Sequence, residues 1–99
     1  MENRLEYIHT FYQDITDVIL YLDDYPQKAK RIFEKLDNRL SVLQEYPEMY
    51  PVYNDYPVFR KIVIEDYLVF YLYRKKDNLV EIHRLINGRM DVITALENK

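Results

Sequence analysis

Hydrophobic and polar positions follow two different rhythms along this chain, and the change comes near Pro47. Over residues 11–23 and again over residues 26–46, apolar side chains recur every three or four positions, which predicts two amphipathic helices. Pro26 is tolerated in the first turn of a helix, whereas Pro47 prevents the second helix from continuing. The predicted apolar stripes are Phe11, Ile15, Val18, Ile19 and Leu22 in the first helix, and Ala29, Ile32, Phe33, Leu36, Leu40 and Leu43 in the second.

The segment before the first helix, "RLEYIHT", alternates weakly and predicts a short strand. Thr10 and Gln13 have the spacing of a capping box, in which the hydroxyl accepts a hydrogen bond from the amide three residues later. The helices are separated only by "DDYP", so we expect them to pack as an antiparallel hairpin.

A segment with three prolines, "PEMYPVYNDYP" (residues 47–57), predicts a loop. Its three tyrosines, Tyr50, Tyr53 and Tyr56, fit two interpretations. They could pack against the domain, or they could contact a partner, because a tyrosine offers a rigid apolar ring with a polar tip.

After this loop the apolar positions alternate with a period of two, which is typical of strands. The predicted strands are residues 58–65, 67–74 and 79–86. Glu65-Asp66 forms a tight turn between the first two, and Asn87-Gly88 leads into a tail with a short helix. The order β-α-α-β-β-β predicts an α+β fold, in which one domain over residues 1–99 packs the helix hairpin on one side of an antiparallel sheet.

Composition places the chain among globular proteins, with 48% hydrophobic and 31% charged residues in a length of 99. The absence of cysteine excludes disulfides, zinc–thiolate sites and thiol catalysis. No apolar run approaches the roughly 18 residues of a membrane span, and "MENRLEY" lacks the apolar region of a signal peptide. We therefore expect a soluble cytoplasmic protein with no membrane contact.

The net charge of −3 argues against a general nucleic-acid binder, but the charge is uneven. Residues 1–25 hold six acidic side chains and one basic side chain, whereas residues 60–89 hold seven basic and four acidic ones. The C-terminal half therefore presents a basic surface that could meet an acidic partner.

Few residues have the chemistry of an enzyme. Ser41 is the only serine and lies within a predicted helix, with no histidine near it in sequence. His9 and His83 have no spacing typical of metal ligands, so we expect neither a metal nor a cofactor.

Two arginines stand out because they share the phase of apolar strand residues. In the predicted strands, Arg60 points to the same face as Ile62, and Arg84 points to the same face as Ile82 and Ile86. A guanidinium is costly to bury unless it is paired. Each arginine is therefore either paired with a helix carboxylate or placed at a strand end that reaches water, or both line a cleft that binds phosphate or carboxylate.

From the prolines onward, the chain resembles the RelE/ParE toxin superfamily of bacterial toxin–antitoxin modules, which are also known for plasmid stabilisation and growth inhibition. The resemblance rests on an ordered series: the proline-rich link, Arg60, the aromatic strand "YLVFY" ending in Tyr71, a strand with Arg84, and "NGRMD". The predicted element order agrees with this family.

The family implies two activities. Members similar to RelE cut messenger RNA on the ribosome, and such cutting needs a proton acceptor, a proton donor and a cation that stabilises the phosphate. On this interpretation the catalytic candidates are Arg60, Tyr71, His83, Arg84 and Arg89.

Members similar to ParE instead bind and poison DNA gyrase, and the residues match them better. Leu68 stands where the ribonucleases typically carry an arginine, and Asn87 stands where a histidine is common. Gly88 and Asp91 also fit the gyrase-binding members. The chain is thus expected to be a gyrase-binding toxin and not an enzyme; a ribonuclease and a non-toxic interaction domain are the alternatives.

The resemblance also implies a partner. A cognate antitoxin is expected to fold its C-terminal segment on the toxin, giving a hetero-oligomer. The expected partner-binding residues are Arg60, Tyr71, Arg84, Asn87 and Arg89.

Overall fold

The structure is a computed structural model, and it describes residues 2–97. The strands are β1 (Arg4–Tyr7), β2 (Arg60–Ile64), β3 (Tyr67–Arg74) and β4 (Leu79–Asn87), and the helices are α1 (His9–Tyr21), α2 (Pro26–Leu43) and α3 (Val92–Glu97). A short 3-10 turn, Lys75–Asp77, joins β3 to β4. The α+β class, the predicted order of elements and the short helix in the tail are confirmed.

The four strands form one sheet in the order β1-β4-β3-β2. β3 is antiparallel to both of its neighbours, but β1 runs parallel to β4, so the sheet is mixed rather than wholly antiparallel. Alternation within a strand reveals which side chains share a face. It carries no information on whether a strand that is distant in sequence runs parallel or antiparallel, which is why the parallel pairing of β1 with β4 was not predicted.

The helix boundaries differ from the predicted ones by a few residues. α1 begins two residues earlier than predicted, and Thr10 therefore lies inside its first turn. The predicted capping box is wrong, because the N-cap residue is Ile8 and the Thr10 hydroxyl donates instead to the His83 carbonyl, at 2.9 Å. α2 begins at Pro26 as predicted and ends at Leu43, before Pro47.

The main core lies between the helix hairpin and one face of the sheet. Four of the six residues in the predicted α2 stripe are buried there, and Ala29 and Phe33 are half-buried. The α1 stripe is partly wrong, because Ile19 is 52% exposed and Asp14 is buried in its place. The core consists of Phe11, Val18, Leu22, Ile32, Leu36, Leu40, Leu43, Ile62, Ile64, Tyr67, Val69, Tyr71, Val80, Ile82 and Leu85.

A second, smaller core covers the other face of the sheet, so the prediction of helices on one side was incomplete. It consists of Phe59, Phe70, Ile86, Ala95 and Leu96, two of them from α3. The loop tyrosines help to build the two cores. Tyr53 lies against Phe70 with ring centres 5.1 Å apart, Tyr56 against Phe59 at 5.3 Å, and Tyr50 against Tyr71 at 6.5 Å.

The tight turn between β2 and β3 is formed by Glu65-Asp66 as predicted. Glu65 adopts φ of 54°, the left-handed region that a side chain other than glycine or asparagine seldom occupies. Its carboxylate bonds Arg31 of α2 at 2.6 and 2.8 Å, and this contact holds the turn against the helix. In residues 2–97, no helix is long and apolar enough to cross a bilayer.

Candidate functional site

Arg84 of β4 and Asp14 of α1 form an ion pair with two bonds. Arg84 Nε donates to Asp14 Oδ2 at 2.7 Å, and Arg84 Nη2 donates to Asp14 Oδ1 at 3.0 Å. The side chains are only 17% and 10% exposed. Arg84 Nη1 also donates to the Ala95 carbonyl of α3, so this guanidinium joins α1, β4 and α3. Of the two interpretations of Arg84, the structure shows pairing with a helix carboxylate.

The pair forms where β4 loses its strand neighbour. β1 ends beside Ile82, and beyond that point α1 lies along the open edge of β4. Thr10 and Asp14, one helical turn apart, point to the same side of α1. Thr10 donates to the His83 carbonyl at 2.9 Å, and Asp14 accepts from the Leu85 amide at 2.9 Å. Two helix side chains thus satisfy the backbone groups of the strand edge.

A β-bulge explains why the predicted phase of Arg84 is wrong. Phe70 pairs with Arg84 but Tyr71 pairs with Ile82, so His83 is an extra residue in β4. One extra residue reverses the alternation. Ile82 therefore belongs to the helix-side core, whereas Ile86 belongs to the core on the other face.

A groove runs along α1 on both sides of the Arg84–Asp14 pair. It consists of two adjoining cavities of about 700 and 540 Å³, both lined by Asp14, Asp17, Arg84 and Met90. Asp14 and Arg84 are paired with each other, so Asp17 and Met90 offer the exposed groups at the centre of the groove.

One end of the groove is polar and acidic. It is lined by Thr10, Gln13, Thr16, Asp91 and Thr94. The Thr94 hydroxyl and amide donate to Asp91 at 2.8 and 3.2 Å, which lowers the pKa of this carboxyl and keeps it ionised. This end is suited to a donor or a cation on a partner.

The other end of the groove is more apolar and carries basic groups. Tyr21 is 72% exposed at its rim, and Tyr67 lies in its wall, where burial raises the pKa of the phenol. Lys28 bonds Asp66 at 3.2 Å beside it. This end of the groove is therefore complementary to a partner segment in which an acidic side chain lies next to an apolar one.

The turn after β4 brings further predicted residues to the same end. Asn87 Oδ1 accepts from the Arg89 amide at 2.9 Å, and the Gly88 amide donates to the Asp66 carbonyl at 2.8 Å. Arg89 is exposed and lines the groove together with Asn87 and Arg84. The structure therefore brings together three of the five predicted partner-binding residues.

Arg60 and Tyr71 lie elsewhere, as a register pair of β2 and β3 roughly 13 Å along β3 from Tyr67. The Tyr71 hydroxyl donates to the Pro47 carbonyl at 2.8 Å; its ring is fully buried, and burial raises its pKa to about 12. Arg60 Nη1 donates to the carbonyls of Tyr50, at 2.7 Å, and Glu48, at 3.2 Å.

Arg60 thus points toward the helix-covered face, as its phase predicted, and sits at the end of its strand. The Arg60 side chain is 23% exposed, and its guanidinium lies 3.7 Å from the Glu48 carboxylate. Together with the neighbouring tyrosine it ties the proline-rich loop to the sheet.

His83, the remaining catalytic candidate, is half-buried beside the bulge. Its Nε2 lies 3.2 Å from Glu81 Oε1, and its ring meets Phe59 edge to face with centres 5.1 Å apart. Glu81 also bonds Arg74 Nε at 3.1 Å. Among residues 2–97, no three His, Asp or Glu side chains gather in a group that could hold a metal ion.

Sequence reasoning missed Asp14, the residue at the centre of the groove. The signal was present, because Asp14 falls between Phe11 and Val18 on the buried side of α1. An acid on an apolar helix stripe and an arginine on a strand each need a partner, and each could have been paired with the other.

Comparison with known proteins supports the resemblance. The sequence model of the ParE toxin of type II toxin-antitoxin system, parDE, matches residues 5–92. A comparison with curated proteins gives no match. A chain in the crystal structure of the E. coli DinJ–YafQ toxin–antitoxin complex is similar, with a TM-score of 0.59 and 19% sequence identity, over 88% of this chain and 93% of that chain. At that identity the likeness shows a shared fold.

Proposed function

This chain belongs to the ParE toxin family of type II toxin–antitoxin systems, and we propose that it acts by binding and inhibiting DNA gyrase and that a cognate antitoxin neutralises it. On this proposal residues 1–99 form one toxin domain that works in the bacterial cytoplasm and needs no cofactor.

One observation carries the proposal: the side chains that RNA cleavage would need are buried or hydrogen-bonded to other groups of the protein. A ribonuclease that uses the 2′-hydroxyl must place a proton acceptor, a proton donor and a cation around an accessible phosphate. Here Tyr71 is fully buried, with a pKa raised to about 12, and is bonded to a backbone carbonyl. Arg60 and Arg84 are each held by two or more protein acceptors.

Leu68 supports the same choice. The resemblance places an arginine at this position in the RNA-cutting members. In this chain the leucine packs half-buried against the second core, beside α3. The described residues therefore favour action by binding over action by cleavage.

The groove along α1 is the proposed binding site of the antitoxin. It combines exposed apolar surface, Tyr21 and Met90, with an exposed cation, Arg89, and an exposed acid, Asp17. A segment that folds on binding uses such mixed surfaces, because apolar contacts give affinity and charges select the partner.

Two assays on the purified toxin test the proposal. The first measures supercoiling and DNA cleavage by gyrase with and without the toxin. The second maps messenger RNA ends by primer extension in a translation reaction. We expect inhibition of gyrase and no new RNA ends, and we expect the antitoxin to restore supercoiling.

New RNA ends in codon register with unaffected gyrase would replace the proposal with a ribosome-dependent ribonuclease. No effect in either assay, together with antitoxin binding, would indicate a non-toxic interaction domain of the same fold. A pull-down would identify the contact directly. The expected result is a gyrase fragment that binds the folded toxin and does not bind an unfolded sample of the toxin.

A further inference from the structure

β2 is an edge strand, and the loop before it covers only its first part. Val52 forms a bridge with Arg60, and the Lys61 amide donates to the Pro51 carbonyl at 3.1 Å. Beyond Lys61, the described residues place no strand against this edge. Within residues 2–97, the Val63 carbonyl accepts a hydrogen bond from Arg39 Nη1, at 3.3 Å in an exposed position.

The hairpin register shows where the open backbone groups point. Ile64 and Tyr67 flank the two-residue turn, and hydrogen-bonded pairs alternate with non-bonded ones in an antiparallel ladder. The Lys61 amide already points away from β3. The amide and carbonyl of Val63 therefore point the same way, and the Val63 side chain is 52% exposed.

A basic stripe on α2 lies beside this edge. Its members are spaced by three or four residues, so they share one side of the helix: Lys28, Arg31, Lys35 and Arg39. Two carboxylates, Glu65 and Asp66, are shared among them, with the shortest contacts at 2.6 to 3.2 Å. Four cations and two acids leave the stripe with a net positive charge.

We propose that the open edge of β2 and the basic stripe of α2 bind an extended, acidic polypeptide segment of a partner protein as a fifth strand. Main-chain bonds to Val63 give the segment its register, and a strand added to an edge also projects alternate side chains to opposite faces. Carboxylates on the helix side meet the stripe, while apolar side chains on the other side lie along Val63.

This surface meets the groove along α1 at Lys28, which lines one end of that groove, but is otherwise distinct from it, because Arg31, Lys35, Arg39 and Val63 do not line the groove. The inference goes beyond the proposed function and holds whether the toxin acts on gyrase or on another target. A short edge with a basic side chain across it is also a known way to discourage pairing between strands, so the test separates the two roles.

The probe is a capped synthetic peptide in which glutamate alternates with valine, and its control carries lysine in place of every glutamate. Both are titrated into the whole ¹⁵N-labelled chain. We expect the glutamate peptide to shift the amides of β2 and to slow hydrogen exchange at Val63, with binding that weakens as salt is added. The lysine peptide should leave these amides unchanged.

Two pairs of variants test the two halves of the surface. Lys35→Glu should weaken peptide binding about tenfold, because a like charge would face the carboxylates. Lys30→Glu makes the same charge change outside the stripe and should have little effect. Val63→Pro removes the outward amide without removing a bond to β3, and should abolish binding, whereas Val63→Thr keeps the amide and should retain it.

The amide signals of β3 and β4 show whether each variant is folded. If the Val63→Pro variant does not fold, the Val63→Thr and Lys35→Glu variants decide the outcome. Absence of binding by the glutamate peptide would overturn the inference and leave edge protection as the role of Arg39. Equal effects of Lys30→Glu and Lys35→Glu would also overturn it, since they would indicate general charge attraction.

Discussion

Arg84 and Asp14 are 70 residues apart in sequence, yet two hydrogen bonds of 2.7 and 3.0 Å join them at the centre of the candidate site. The same Asp14 carboxylate accepts from the Leu85 amide, and the same guanidinium donates to the Ala95 carbonyl. Together with Thr10, which donates to the His83 carbonyl, this ion pair therefore closes the open edge of β4 and holds α1 and α3 against it. The floor of the groove is part of the framework that supports the fold.

Removal of either member of this pair should destabilise the fold strongly. Asp14→Ala and Arg84→Ala should each lower the free energy of unfolding by about 3–5 kcal/mol, because the remaining charge is left buried without a partner. The double variant should cost less than the sum of the two. Urea titrations measure the three values.

Asp17→Asn is the matched control, since Asp17 lies on the same helix but is exposed; its change should stay within about 0.5 kcal/mol. A loss of that same small size for Arg84→Ala, with weaker partner binding, would contradict the structural role. It would restore the sequence-based expectation that Arg84 serves mainly in binding.

Most of the local signals in the sequence were reliable, the capping box at Thr10 excepted. The helix hairpin, the three later strands and the turn at Glu65-Asp66 follow from periodicity and from the positions of the prolines, because both act through neighbouring residues. The inward phase of Arg60 was also confirmed, since β2 is regular from Arg60 to Ile64.

What sequence reasoning missed depends on contacts between distant parts of the chain. The bulge at His83 reverses the phase of Arg84, and its cause lies in the pairing of β4 with β3 rather than in β4 itself. The role of Asp14 appears only when α1 is placed beside the edge of β4. Tyr71 was a plausible proton donor by its position, but the loop around Pro47 buries it.

Leu36→Ala tests the helix-side core. Leu36 is 5% exposed and lies on the α2 stripe that faces the sheet, so its truncation should cost about 2–5 kcal/mol. Phe33 is half-buried, and Phe33→Ala should cost less than Leu36→Ala despite the larger side chain removed. Denaturant titration of both variants gives the order, and the reverse order would show that Phe33 carries more of the core than its exposure indicates.

Tyr71→Phe tests the buried hydroxyl. At neutral pH the loss of its bond to the Pro47 carbonyl should cost about 1–2 kcal/mol. Tyr46→Phe is the matched control, because Tyr46 is 60% exposed, and it should have little effect. Thermal or urea melts of the two variants make the comparison.

The same variant makes a prediction about pH. Burial raises the pKa of Tyr71 from 10.0 to about 12 in the folded chain, so the folded state keeps this proton more tightly than the unfolded state. The contribution of Tyr71 to stability is therefore fully present below about pH 10 and is lost as the pH rises toward about 12. Tyr71→Phe should fall less steeply in stability than the wild type over that range, and parallel curves would contradict the raised pKa.

Arg89→Ala tests whether the groove is the binding site of the antitoxin. Arg89 is exposed and lines the groove, so its truncation should leave the free energy of unfolding within about 0.5 kcal/mol. It should weaken binding of the cognate antitoxin about tenfold, because a charge that selects the partner is lost. Lys76→Ala is the matched control, since Lys76 is exposed in the turn between β3 and β4 and lines neither cavity of the groove. Calorimetric titration of both variants decides the point: equal affinities would move the antitoxin away from this end of the groove, whereas a selective loss at Arg89 would place it there.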